Sequence, residues 1–354
     1  LRASLRGGRP IRLELVRNGQ PLTLSYTPAA RPLENHPIQT VEYGNLALSD
    51  GTKVRTLVTK PRGKTGKLPA ILLVQWLSCS SVEVTGQPAD GSDLLVQHFS
   101  RHPDLVFMRV EKPGVGDSEG NCAACDLQTE MQMNRAALSA LKQRPDVDTN
   151  RIYLLGVSLG AGLSAVLGKG QNIRGYLVTG GCTVTWFEHM MELERRRMAF
   201  SGVGWPQINA RMGGYATLYQ KYYIEKMTPG EVIKQNPALK ELWYDQPAHQ
   251  YGRPAAFYHQ VQALNFEEAW SNVKVPVLAL YGEYDWIMSR ADHEKIVTLV
   301  NQNQPGLAEL TVIPKADHNL AVFENPQKAF DGTDGKLPDR LIEIVENWWK
   351  SHNK

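Results

Sequence analysis

The chain has 354 residues, 42% hydrophobic and 21% charged, with 30 Gly and 21 Pro. That length admits one large domain or two to three small ones, and the composition excludes wholesale disorder, collagen and coiled coil. Lys and Arg number 39 against 36 Asp and Glu, a net charge of +3, too balanced and dispersed for a nucleic-acid or anionic-membrane surface; a small or weakly charged partner is expected.

In chain order, Leu1 to Leu5 reads as a short helix ended by Arg6-Gly7-Gly8. Ile11 to Val16 and Pro21 to Tyr26 alternate in hydropathy and are joined at Asn18-Gly19, the strongest short hairpin signal. Pro28 and Pro32 mark a linker with a boundary near residue 35. Gln39 to Leu48 and Lys53 to Lys60 form a second hairpin, turned at Asp50-Gly51. The opening, Leu-Arg-Ala-Ser-Leu, lacks Met and any signal-peptide pattern, so a preceding segment is expected to have been cut away or left out.

Beyond residue 60, short fully apolar runs alternate with amphipathic helical stretches, the pattern of a mostly parallel sheet covered on both faces. The strands predicted are Ala70 to Trp76, Leu105 to Val110, Ile152 to Val157, Gly175 to Thr179, Val277 to Tyr281 and Leu310 to Ile313. Helices are expected over Leu127 to Lys142, Leu159 to Gly168, Ala291 to Val300 and Leu337 to Trp349. Thr183 to Val273 breaks the rhythm. Rich in Met, Trp, Tyr and charge, with no clear strand, it reads as an inserted helical subdomain. The longest apolar stretch, Ala70 to Leu77, is interrupted by Gln75 and falls far short of the roughly 18 to 20 residues that cross a bilayer. No membrane span is expected.

Gly-x-Ser-x-Gly occurs twice, at Gly156 to Gly160 and at Gly116 to Gly120. A nucleophile elbow needs a buried strand running into the serine and a helix leaving it. Ser158 meets both conditions, whereas Lys112 to Gly116 separates Ser118 from its strand. A serine hydroxyl also needs a base and a carboxylate to orient that base. His318, in the loop after the last strand, is the best-placed base. Asp285, directly after the strand Val277 to Tyr281, is the acid, with Glu283 and Asp317 as competitors.

On Gly-Val-Ser-Leu-Gly, Gly-Glu-Tyr-Asp-Trp-Ile, Ala-Asp-His-Asn-Leu and the loop Lys-Pro-Gly-Val-Gly-Asp-Ser-Glu-Gly, residues 38 to 354 resemble an α/β-hydrolase. The resemblance implies Ser158 as nucleophile, His318 as general base and acid, and Asp285 as the residue holding its tautomer. It places oxyanion donors at the N–H groups of Leu159 and Leu77, with Trp76 as an alternative donor. Trp76 and Trp286 are candidate pocket walls, though a core role for Trp76 is equally open. The insertion corresponds to the place where this family carries a cap. Its aromatic and Met side chains either form its own core or line a channel, and Arg195 to Arg197 are a solvated face or a carboxylate anchor.

Four Cys allow one or two disulfides or inert thiols. Cys122-x-x-Cys125 lacks a second ligand pair, so no metal and no cofactor is expected. In the hydrolase fold its loop neighbours that of Cys79, so Cys79 is expected to pair with Cys122 or Cys125. Residues 1 to 30 resemble the closing third of a PDZ domain, in Leu-Arg-Ala-Ser-Leu-Arg-Gly-Gly and in Arg-Pro-Ile-Arg-Leu-Glu-Leu-Val-Arg-Asn-Gly-Gln-Pro-Leu-Thr-Leu. With the cysteines, this resemblance implies a periplasmic or extracellular setting, a cytoplasmic one being the alternative.

The resulting expectation is an α/β fold with a PDZ-like fragment and linker (1–35), a hydrolase core (36–182 and 274–354) and a cap (183–273). The activity expected is serine hydrolysis of a carboxylic ester or short peptide, without nucleic acid. The alternatives are a prolyl-peptidase-type amidase or peptidase, and a non-catalytic binding protein on the same fold.

Overall fold

The computed structural model describes residues 10–27 and 33–353. The helix expected at Leu1 to Leu5 and the prolines at 28 and 32 lie outside these. Strands β1 (Ile11–Arg17) and β2 (Gln20–Tyr26) pair antiparallel with each other as a separate hairpin. Asn18 and Gly19 both take positive φ at its turn, 52° and 75°, the backbone that two-residue hairpins require.

The main sheet has eight strands. Antiparallel β3 (Gln39–Ala47) and β4 (Lys53–Pro61) form one edge. The others are β5 (Leu68–Val74), β6 (Val106–Val110), β7 (Val147–Val157), β8 (Gly175–Thr179), β11 (Val277–Gly282) and β12 (Ala308–Ile313). Their order is β12-β11-β8-β7-β5-β6-β4-β3, and every pairing from β6 through to β12 is parallel. Side chains alternate between faces along a strand. Ala70, Leu72 and Val74 of β5 therefore enter one core, while Ile71 and Leu73 enter the other. Two covered faces explain why the strands read as continuous apolar runs.

Helix α1 (Gly91–Ser100) and the last helix, Leu341–His352, cover one face. On the other lie α2 (Leu127–Gln143), α3 (Leu159–Gly168) and the insertion. The last helix begins at Leu341, four residues later than the sequence suggests, because Pro338 disfavours helical backbone at Leu337. Helix α1 was not anticipated.

The insertion comprises α4 (Trp186–Phe200), α5 (Trp205–Tyr219), α6 (Pro229–Gln235), α7 (Ala255–Gln262) and α8 (Phe266–Ser271). Thr185 and Thr228 close capping boxes on α4 and α6. Contrary to the strandless expectation, β9 (His249–Gln250) and β10 (Arg253–Pro254) pair antiparallel. Their tip, Tyr251-Gly252, has positive φ at both residues. Met190, Tyr222, Tyr223, Phe257 and Tyr258 are buried in the insertion's core, whereas Trp205 is exposed.

Candidate active site

The buried end of β7 runs into Ser158, whose φ of 56° is rare for a side-chain-bearing residue and marks a strained turn. Its amide donates to Thr179 O at 2.8 Å. A Cβ on Gly160 would sit 2.0 Å from Val74 O, so only glycine lets α3 start directly against β5.

The loop after β12 delivers His318, whose Nε2 lies 2.9 Å from Ser158 Oγ; its Nδ1 lies 2.9 Å from Asp285 Oδ2. A carboxylate only accepts, so Nδ1 carries the hydrogen and Nε2 accepts from the serine hydroxyl. Asp285 Oδ1 takes the N–H groups of Ile287 and Met288 at 2.8 and 2.9 Å. Of the competing acids, Glu283 accepts the Lys315 amide and Asp317 the amides of Asn319 and Ala321. Both hold loop backbone, and Asp285 alone pairs with the imidazole. Burial would push the His318 pKa down, but the Asp285 carboxylate, aided by the Asp317 and Asp90 charges, holds the pKa above the ordinary value. Burial would likewise raise Asp285, yet the imidazole and the Met288 amide hold it below the usual range.

Trp76 and Leu77 follow β5, and their carbonyls are gripped from behind. Lys112 Nζ donates to Trp76 O and, at 3.1 Å, to Leu77 O. Arg253, just past the β9–β10 tip, adds a 3.2 Å bond to Leu77 O. Glu130 of α2 bridges both cations, at 3.1 Å from Lys112 and 2.7 Å from Arg253, and all three side chains are at most 1% exposed. In a trans peptide C=O and N–H point opposite ways. Drawing the Trp76 carbonyl towards Lys112 therefore turns the Leu77 N–H away from Lys112. Burial pushes the Lys112 pKa down to about 8.

A disulfide joins Cys79 to Cys122, tying the Leu77 loop to the Ser118 loop. Cys125 and Cys182 are buried free thiols, and burial pushes Cys125 up to about 11, far from thiolate chemistry at neutral pH.

A cavity of about 280 Å³ opens over Ser158 and His318, walled by Trp76, Leu77, Leu159, Trp186, Leu193 and Trp286. The insertion contributes Trp186, His189, Leu193 and Tyr251. No Asp, Glu, Lys or Arg lines it. None of the three arginines at 195 to 197 lines it. Arg195 bonds Asn209, Arg196 the carbonyls of Trp286 and Ile287, and Arg197 pairs with Glu194. Sequence reasoning missed His189, Tyr251, Glu130 and Arg253, and gave Lys112 no role of its own. Only the alternation around Tyr251-Gly252 offered a signal, a Gly-containing turn between short polar runs.

Among the described residues, one group could offer three metal ligands: His98, His102 and Glu346. His102 Nδ1 accepts the Asp104 amide at 3.2 Å, so its Nε2 carries the hydrogen and donates to Glu346 at 3.0 Å. That tautomer leaves no lone pair for a metal there. No helix among the described residues is long and apolar enough to cross a membrane.

Similar architectures occur among solved structures. An esterase from Pyrococcus furiosus superposes with a TM-score of 0.54 at 14% identity, over 92% of this chain and 96% of that chain. A hypothetical protein from Pseudomonas aeruginosa gives 0.50 at 16%, over 91% and 96%. A prolyl endopeptidase gives 0.52 at 14%, over 97% of this chain but only 42% of the peptidase. These identities show the fold alone. No curated protein sequence matches the chain. The Alpha/beta hydrolase family, however, matches residues 86–331, a span that takes in the strand-turn-helix at Ser158, the acid loop, His318 and the insertion, and the chain belongs to that family.

Proposed function

We propose that the protein is a serine hydrolase that cleaves a small carboxylic ester through an acyl-enzyme. The observation that carries this reading is the unbroken chain from Asp285 through His318 to Ser158, both links 2.9 Å long, ending on a strained serine at the floor of a cavity.

In this mechanism Ser158 Oγ attacks the carbonyl carbon while His318 Nε2 takes its proton, and Asp285 stabilises the imidazolium. The developing oxyanion is received by the Leu159 amide, one of the unpaired N–H groups at the start of α3, and by the Leu77 amide. His318 then protonates the leaving alcohol as the C–O bond breaks, and the same steps with water release the acid.

An ester is favoured over a peptide terminus because the cavity wall carries no carboxylate for an ammonium and no cation for a carboxylate. The insertion serves as the cap, and β1–β2 as the remnant of a PDZ-like module. The Cys79–Cys122 disulfide supports an oxidising, periplasmic or extracellular setting. A fluorophosphonate probe tests the central claim: labelling should vanish in Ser158→Ala and persist in Ser118→Ala. Labelling that survives Ser158→Ala would overturn it. A panel of p-nitrophenyl esters and aminoacyl anilides separates esterase from peptidase.

A further inference from the structure

Of the polar side chains in the cavity wall that the reaction does not use, His189 and Trp186 are the two from helix α4. His189 of α4 is 2% exposed and lines the cavity with Ser158 and His318. Burial and surrounding charges act on its ring, but among the described residues no hydrogen bond reaches it. One helical turn earlier, Trp186 lines the same cavity, and its buried indole N–H has no acceptor among the described residues. The two rings lie 4.8 Å apart. The neighbouring buried histidine behaves differently. His293 has both nitrogens engaged, one by the Gly181 amide at 3.1 Å and the other by Ser289 O at 2.9 Å.

Buried polar groups are nearly always paired, so an imidazole left open beside a reactive serine is available to a ligand. Burial pushes His189 down to about 4. At neutral pH it is uncharged, with one N–H donor and one acceptor nitrogen. Arg196, the cation acting on it, is held by the Trp286 and Ile287 carbonyls and brings no anion site with it. The volume, about 280 Å³, is at the small end of ligand sites, which run from ~300 to 1,000 Å³, and its walls suit a single ring.

Building on the serine-hydrolase reading, we propose that His189 forms a hydrogen-bonding subsite for the non-reacting part of the substrate, an uncharged ester whose compact apolar body carries a hydroxyl or carbonyl oxygen. Paired to such an oxygen, the imidazole is satisfied; facing a purely apolar body, it stays unpaired.

The test is equilibrium binding to Ser158→Ala, which cannot turn substrate over. The probes are methyl 3-phenylpropanoate and its 2-, 3- and 4-hydroxyphenyl analogues, followed by tryptophan fluorescence. At least one hydroxylated ester should bind about ten-fold tighter than the parent, the worth of one buried neutral hydrogen bond. His189→Phe in the same background should abolish that preference while still binding the parent ester, which reports a folded cavity. His189→Gln should restore part of it. The subsite is overturned if no hydroxylated isomer is preferred, or if the preference survives His189→Phe. Fluorophosphonate labelling of the wild-type chain separates the two claims. A preference that depends on His189 without labelling would leave the subsite standing and the hydrolase reading fallen, and labelling without a preference the reverse.

Discussion

Ser158 and Ser118 each stand third in Gly-x-Ser-x-Gly, yet the glycines serve different ends in the two loops. Around Ser118 the positive φ falls on the glycines, 62° at Gly116 and 90° at Gly120. The serine itself is a buried brace, accepting the Arg55 amide at 2.8 Å and donating to Glu111 O at 3.1 Å. Around Ser158 the serine bears the positive φ, and Gly160 is needed because α3 and β5 nearly touch. One pattern thus encodes a turn whose serine is fully engaged within the protein, and a turn whose hydroxyl meets only an imidazole. The Ser118 loop still bears on the site through a third loop, the one after β5: Lys112 at its root and the Cys79–Cys122 link hold the backbone of Trp76 and Leu77.

The sharpest way to break this contrast is to remove each hydroxyl. Ser158→Ala should cost ester hydrolysis about 10⁴-fold or more. Ser118→Ala should keep the activity and lose about 1–3 kcal/mol of stability, because it orphans a buried amide and carbonyl; chemical denaturation with parallel assays reads both. Loss of activity with Ser118→Ala would erase the distinction.

The glycines give the next test. Gly160→Ala forces its methyl into Val74 O and should destabilise the fold by at least about 3 kcal/mol. Gly120→Ala meets the left-handed backbone cost, about 1–2 kcal/mol, and a milder approach of 3.1 Å to the Pro113 Cβ. Equal melting shifts would show that the two motifs use glycine alike.

The link between the loops is sharpened by Lys112→Met, which frees the Trp76 carbonyl while Arg253 still pairs with Glu130. Steady-state kinetics should show kcat falling about ten-fold with KM little changed, less than the ~10²–10³ lost with an oxyanion donor itself. A rise in KM at constant kcat would instead assign Lys112 to ground-state binding.

The smallest effect is a shift of pH profile. His318 works as a base only when neutral, and Asp285 favours its charged form, so kcat/KM should rise with pH through a midpoint above histidine's ordinary ~6.5. In Asp285→Asn the residual activity should show a lower midpoint, since the main opposition to burial is then gone and only the more distant Asp317 and Asp90 remain. An unmoved midpoint would detach Asp285 from the base.

The local sequence determined what depends on neighbours along the chain. Apolar runs marked strands buried on both faces, and Asn18-Gly19 marked a hairpin. The choice of Ser158 over Ser118 followed from the strand and helix flanking it. Asp285 and His318 were legible because each stands just past a strand end, and in a parallel sheet those ends meet at one edge. Tertiary structure decided what depends on distant partners. Asp285 prevailed over Glu283 and Asp317 because the loop folds turn the other two onto backbone amides. Lys112, Glu130 and Arg253 became one cluster although they are spread over 142 positions of the chain. His189 reads in sequence as one polar residue on an amphipathic helix. Only packing of the insertion over the sheet turns it into the cavity, where among the described residues nothing bonds its ring, and no local pattern records that placement.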